Sequence, residues 1–482
     1  MIEIKRIHEK LKVSDFIKLI PFFLFFTLLT WLVSDHIFFG DTIQLGAKHG
    51  LFFYENNFSA FLLPDNLDSG HIPAFGMYLA VCWKIFGKSL WVSHFAILPF
   101  LIGIVWQSFI LLRKYIHARY IYYALALFLA DATFLSQATL VSPDIILIFF
   151  FLLGLNAIVS NKKNLILIAF IGLALISMRG MMIILALITI DLISNVKFDS
   201  FKSALTKLSA RSLIYLPSVL VILSFLIYHY FAKGWMGYHK NSPWADSFRI
   251  VGFRGSVYNT GILVWRLIDF GRVFLWMFVF TFIILNFKRV KDDRVLKQLA
   301  VCFVIVLISL SVSLVVYSGL SQHRYLMPVN SVFLLLTCYL LFEKLKSEKL
   351  KYYLYGFLLV GMLSGNLWIY PEKISVGWDA TLAHLPYYNL REKMNLYLNE
   401  NKIEFEKIGC DFPNLAEQKY LELNNDNRKH KEKETGLDEY ILYSNIYNGF
   451  SDAEIQKLHS DFVLQKEFKQ MGIFLRLYKR KR

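Results

Sequence analysis

Only four of the 482 residues are cysteine, and they are scattered. Cys82, Cys302 and Cys338 lie in apolar segments, and Cys410 stands alone near the C-terminus. That excludes a disulfide framework and the paired spacing of a structural metal site. A phosphate-binding glycine loop, an HExxH run and a Ser/His/Asp order are missing too, so the chemistries that depend on them have no support. No internal repeat is visible, which disfavours transporter architectures built from duplicated halves. Acidic residues are outnumbered, 36 against 52 Lys and Arg, for a formal net charge of +16. Nucleic acid is not the partner this implies. The basic residues lie at the ends of apolar runs, where anionic headgroups and the positive-inside rule account for them.

What the chain has in abundance is apolar sequence: 56% of residues are hydrophobic and the mean hydropathy is +0.46. About eleven runs, each close to the length that crosses a bilayer, fill the first 370 residues. The first, 16–39, follows Lys5, Arg6, Lys10 and Lys12. It is too long for a signal-peptide core and no small-residue cleavage site follows, so it reads as a retained span. The others are 90–112, 120–137, 143–160, 165–178, 180–194, 212–231, 268–287, 301–316, 325–342 and 352–370. A shorter stretch, 74–86, suits an amphipathic helix in the membrane interface. About twenty Lys and Arg fall in six short loops on one side, and the short links opposite hold almost none. That side is read as cytoplasmic, with the N-terminus on it and long outer loops at 40–73 and 232–266. An odd number of spans leaves the tail outside a cytoplasmic (inner) membrane.

At residue 371 the composition turns polar and charged. Two units are expected: a transmembrane domain, 1–370, and a soluble extracytoplasmic domain, 371–482. In the latter, 387–398 reads as a helix, 440–444 as a strand, and 462–468 with 473–478 as a hairpin split by Met471-Gly472. The fold class is therefore an all-α polytopic membrane protein with a small C-terminal α/β domain.

Sidedness concentrates the chemistry on the outer face. Asp41 follows the first run, at the membrane surface, where a partly desolvated carboxylate makes a usable base; a solvated loop acid fits as well. Asp68 and His71 precede Pro73, and either role fits them: a sugar-binding pair, or the start of a helix. Asp144 opens a span after Ser142-Pro143 and enters an apolar run, where an acid is costly unless it faces a cavity; helix capping is the other reading. Asp131, deeper in a span, ranks second. Arg179 sits in a tight outer link against the charge bias, and Arg324 with Tyr325 opens a late span. Phosphate is the natural partner of such a guanidinium, and snorkelling to headgroups is the alternative. The second outer loop adds Trp235, Tyr238, His239, Trp244, Arg249 and Arg254, suited to sugar stacking or to an interfacial belt.

Those residues, in that order, resemble the GT-C glycosyltransferases typified by protein O-mannosyltransferases and lipid A aminoarabinose transferases. The matching features are an acid after the first span (Asp41) and a Pro-led interfacial helix running from His71-Ile72-Pro73 to Phe86-Gly87. An acid at the start of the fourth span (Ser142-Pro143-Asp144) and Arg324-Tyr325-Leu326-Met327-Pro328 complete the set. The resemblance covers about residues 10–345. It departs from the mannosyltransferases at Asp41-Thr42, where they carry Asp-Glu, and at Ile72-Pro73-Ala74, where the family has Pro-Pro. It implies an inverting enzyme with a polyprenyl-phosphate sugar donor. The acceptor is an extracytoplasmic glycan, lipid or protein, and Asp41 is the general base. Asp68, His71, Asp144, Arg179, Arg324 and Tyr325 would bind substrate. It implies no cofactor; His71 leaves a divalent metal open without supporting one. The competing readings are a lipid-linked sugar flippase or transporter, and an O-antigen polymerase or ligase. Asp41 discriminates the transferase from the latter.

Overall fold

The computed structural model describes residues 13–196, 201–241, 245–372, 379–447 and 449–481. The basic cluster Lys5, Arg6, Lys10 and Lys12, together with Lys197 and Trp244, lies outside the described residues.

The first helix, α1 (Val13–Leu32), stops short of the expected 16–39. Ser34 turns its hydroxyl back to the Trp31 carbonyl at 2.8 Å, and the Phe38 amide donates to Leu421 in the tail at 3.0 Å. The chain thus leaves the helix to dock on the C-terminal part, and Asp41 sits in a turn rather than at a helix end. The expected outer loop contains a π-helical turn, Ile43–Lys48, which runs into α2 (His49–Glu55). Then α3 (Ala74–Phe86) has the expected bounds. It buries Phe75, Leu79, Ala80 and Trp83 and exposes Val81, Ile85 and Phe86, the two-sidedness of an interfacial helix.

After α4 (Leu90–Leu112), the run expected as one span over 120–137 is two helices, α5 (Ile121–Leu129) and α6 (Ala132–Ala138), bent by 72°. The cause is Asp131. Its carboxylate accepts from the Phe134 amide at 3.0 Å as an N-cap, which starts a new helix in a new direction. α7 (Pro143–Val159) and α8 (Lys163–Ile176) form a hairpin, followed by α9 (Met178–Asn195) and α10 (Phe201–Lys233). The loop expected over 232–266 is not all loop: α11 (Phe253–Ile268) occupies its second half and packs on α13 (Arg294–Val316). Asp269, Phe270 and Gly271 then break the chain before α12 (Arg272–Val290). α14 (Met327–Tyr339) is the central helix: the apolar stretch that contains it, His323–Lys344, is 94% buried. α15 (Glu348–Ser364) closes the bundle.

Among the described residues, seven helices are long and apolar enough to cross a membrane, or up to eight if the bent pair counts as one span, against about eleven expected. The expected spans at α7, α8 and α15 have 17, 14 and 17 helical residues. Even so, α7 and α8 run between the same two ends of the bundle. At one end Asn156 of α7 accepts through its carbonyl from Lys114 at 2.9 Å, Arg113 pairs with Asp15, Arg211 with Asp191, and Lys344 with Asp293. At the other end lie Asp41, Asp144, Arg179 and Arg324. The alternation of basic loops in sequence is thus a segregation in space, as a multi-pass membrane protein requires.

The tail is a small α/β unit. β1 (Ile408–Cys410), β2 (Lys431–Glu432) and β3 (Tyr440–Ser444) are parallel, and β4 (Phe462–Gln470) and β5 (Ile473–Arg480) are antiparallel, in the order β2-β1-β3-β5-β4. The turn residues Met471 and Gly472 have φ of 49° and 83°, the pair of positive values a two-residue type I′ hairpin demands. α16 (Pro386–Glu400) covers the sheet through Leu390, Met394 and Leu398, and α18 (Asp452–Asp461) starts from a Ser451–Glu454 capping box. α17 (Gln418–Glu422) instead packs on the π-helical turn after Asp41.

Candidate active site

Four separate stretches of the membrane part and one of the tail meet at the end of the bundle opposite the basic one. Asp41 is presented by a tight turn: Gly40 takes φ 60°, and the Thr42 hydroxyl accepts from the Phe39 amide at 3.0 Å while donating to the Phe39 carbonyl at 2.8 Å. Asp144 stands in the first turn of α7. The cap there is Ser142, whose hydroxyl accepts from the Asp144 amide at 3.2 Å, so the Asp144 carboxylate is released for other work. It receives Arg179 at 2.5 Å and Nε of Arg324 at 3.2 Å.

Arg324 is the hub. Its side chain is 3% exposed and is held by three carboxylates: Asp41 and Asp379 through its two Nη atoms and Asp144 through Nε. Arg179, at 20%, is the more accessible guanidinium and lies 4.0 Å from the centre of the Tyr325 ring, which Arg324 flanks at 5.0 Å. Among the described residues, two guanidiniums against three carboxylates leave the cluster one negative charge in excess. A guanidinium this deeply buried is tolerable only because every face of it meets a carboxylate or a ring.

A cavity of about 460 Å³ opens beside the cluster, of a size that holds a small ligand. Asp41, His71, Arg179 and Tyr325 reach it from one side and Tyr238, Phe248 and Tyr317 from another. Tyr238 and Phe248 stack at 5.2 Å with planes 9° apart. His71 donates Nδ1–H to the Ser69 carbonyl at 3.0 Å. Burial lowers its pKa from the ordinary value, and the Arg179 charge adds to that, so the ring is neutral at pH 7.

Of the residues singled out by sequence, Asp41, His71, Asp144, Arg179, Arg324 and Tyr325 come together here. Asp68 does not. Its Oδ1 accepts from the Gly70 amide at 2.8 Å and its Oδ2 meets Nε2 of His229 at 2.9 Å, which ties the loop before α3 to α10. Gly70 has no substitute at that tie: at φ 73° a Cβ would stand 1.8 Å from the Gly237 carbonyl oxygen. Asp131 is likewise structural, paired in bidentate fashion with Arg272 at 2.7 and 2.9 Å. Trp235 meets His229 edge to face, with ring centres 4.4 Å apart, rather than lining the cavity.

Sequence reasoning missed Asp379, which lies in the polar tail among many acids. It also missed a second buried group beside Arg324. There His323 meets Asp269 at 2.9 Å, and Tyr370 donates to the same carboxylate. Burial opposes ionisation of Asp269, but these hydrogen bonds outweigh it and hold its pKa below the ordinary value. The group anchors the turn that carries Arg324. Among the described residues, no three His, Cys, Asp or Glu are grouped as metal ligands.

Neither a family model nor a curated protein matches the chain. Solved structures do. ArnT from Cupriavidus metallidurans bound to undecaprenyl phosphate is 13% identical, with a TM-score of 0.50 over 73% of this chain and 63% of that one. The arabinofuranosyltransferase AftD from Mycobacteria is 10% identical, with a TM-score of 0.51 over 98% of this chain and 40% of that one. The chain therefore spans less than two thirds of either. At such identities the likeness is one of fold, and the fold is that of the GT-C glycosyltransferases.

Proposed function

We propose that this GT-C-fold membrane protein is an inverting glycosyltransferase. It moves a sugar from a polyprenyl-phosphate donor to a hydroxyl of a glycan, lipid or protein on the extracytoplasmic side of the inner membrane. The observation that carries the reading is the linkage of Asp41, Arg324, Asp144 and Arg179 at the wall of a cavity of about 460 Å³. The undecaprenyl phosphate bound to ArnT supports a donor of the same lipid class.

In the proposed reaction the acceptor hydroxyl gives its proton to Asp41 as its oxygen bonds to the anomeric carbon. The bond from that carbon to the phosphate oxygen breaks on the opposite face, which inverts the centre, and the electron pair leaves with the lipid phosphate. Asp41 later releases the proton to water. Charge grows on the departing phosphate, and a positioned guanidinium stabilises it more in the transition state than in the donor. Arg179 suits this part, since it faces the cavity with a single carboxylate partner among the described residues. Arg324, surrounded by three, holds Asp41 in place. His71 and Tyr325 line the approach of the sugar, and Tyr238 and Phe248 offer ring faces to it. No step calls on a metal or another cofactor.

The test is sugar transfer by the purified protein in lipid, with a panel of polyprenyl-phosphate sugars and membrane extract as acceptor. A flippase or transporter transfers none, and an O-antigen polymerase or ligase requires a lipid-diphosphate donor. Asp41→Asn keeps the size of the side chain and removes its basicity. It is expected to lower turnover by about 10²–10⁴-fold with the protein folded and inserted. Near-normal turnover of that variant at saturating donor sinks the assignment of the base.

A further inference from the structure

Asp379 enters the site as the first residue of the described segment 379–447. Its carbonyl accepts from Nε2 of Gln137 at 2.8 Å. Gln137 in turn accepts from the Ser142 hydroxyl at 2.6 Å, and Ser142 caps the Asp144 amide. Ala380, the next residue, packs against Ala132 and Phe270. The carboxylate of Asp379, 3% exposed, pairs with Arg324 through Oδ2, while its Oδ1 is buried with no hydrogen-bond partner among the described residues. A small cavity of about 20 Å³ lies against Asp41, Asp144, Arg324 and Asp379. That is room for one water or one hydroxyl.

We propose that Asp379 is a positioning residue: by sharing Arg324 with Asp41, it keeps that guanidinium from neutralising Asp41 and so preserves Asp41 as a base. The inference rests on the reading of Asp41 given above. Its physics is charge counting. Among the described residues, two guanidiniums face three carboxylates with Asp379; without it they face two. The whole field of Arg324 then falls on Asp41 and Asp144. A carboxylate beside an uncompensated guanidinium ionises more readily and holds a proton less well, by about 1–3 pH units for an undivided pair. The other groups facing Asp41 stay as they are: Arg324 and Tyr325 before α14, Asp144 on α7, Arg179 on α9 and His71 in the first outer loop. The outer domain thereby contributes to the chemistry and does not merely cover it.

The experiment is the pH profile of kcat/KM for the full chain in lipid nanodiscs, with a polyprenyl-phosphate sugar that the unmodified protein turns over. Asp379→Asn is expected to move the acidic limb down by about one unit and to lower kcat by about tenfold, as a weaker base does. Binding of undecaprenyl phosphate should stay within about twofold, because Arg179 is untouched. Asp379→Glu, which keeps the charge, should restore the limb. A limb that stays in place in Asp379→Asn, whatever happens to kcat, makes Asp379 a tether only and overturns the proposal. If the Asn variant does not fold, Asp379→Ser replaces it, with the same shift expected and the same result against. Asp41→Asn separates the two ideas. Turnover in that variant defeats the base and this inference together. A dead Asp41→Asn beside an unmoved limb in Asp379→Asn defeats this inference alone.

Discussion

Arg179 and Arg324 carry the same side chain in different company, and that difference is a prediction. Arg324 is enclosed by three carboxylates; Arg179 has one, and a ring beneath it. A phosphate reaching Arg324 would meet like charge on every side, whereas Arg179 has donors to spare. Arg179→Ala is expected to weaken donor binding by roughly 10–100-fold, the worth of a hydrogen bond to a charged group. Arg179→Lys should recover part of it, because a point charge replaces a planar fork. Measured donor affinity that is unchanged in the Ala variant would reduce Arg179 to a counter-charge for Asp144. Six of the seven site residues expected from sequence meet in one place. Sidedness explains why: few ionisable groups belong on the outer ends of spans, so each one that occurs there stands out. Asp68 obeys the same logic and still turns away, since His229, its partner, lies in a run that reads only as a span. Asp379 is the opposite case. In a polar tail every acid looks alike, and nothing local marks the one that faces Arg324.

Elements were legible where their determinants are local. The bounds of α3 and α4, and the β4/β5 hairpin at Met471-Gly472, follow from apolar patterning and turn chemistry within a few residues. The breaks were not, because each depends on a distant partner. The bend at Asp131 needs Arg272 to make an acid affordable there, and α1 ends early because residues 33–42 dock on the tail. That docking is itself titratable. His384 is 2% exposed, stacks on Phe39 at 5.7 Å and donates Nδ1–H to the Thr381 carbonyl at 2.7 Å. Burial, the largest influence, lowers its pKa from 6.5 to about 4. The docked ring is neutral, and an undocked ring takes up a proton below 6.5. Stability from His384 is therefore whole above that value and is lost as pH falls towards 4, by about 1.4 kcal/mol per unit. The melting temperature of the protein in detergent should fall between pH 7.5 and pH 5, and His384→Gln should flatten the dependence. An equal slope in the variant would place the titration on other histidines, such as His36 or His430.

At the scale of the whole molecule, the two ends of the bundle differ in kind. One gathers Arg113, Lys114, Arg211 and Lys344 with their partners; the other gathers the site and the C-terminal domain. Positive charge resists translocation, so the first end is expected to be cytoplasmic and the tail extracytoplasmic. Because Asp379 joins the tail to Arg324, and Arg324 joins Asp41, the side of the tail is the side of the chemistry. A reporter active only outside the cytoplasm should work when fused after Tyr370 or after Lys481 and fail in the link between α7 and α8. The opposite pattern would move the tail and the catalytic cluster together to the cytoplasmic face. Transfer outside the membrane would then be wrong, while the role of Asp41 as base would be untouched. A sugar donor and an acceptor would have to meet on the side where nucleotide sugars are available, and a lipid-phosphate donor would lose its purpose. The topology measurement therefore decides the donor class as well as the address.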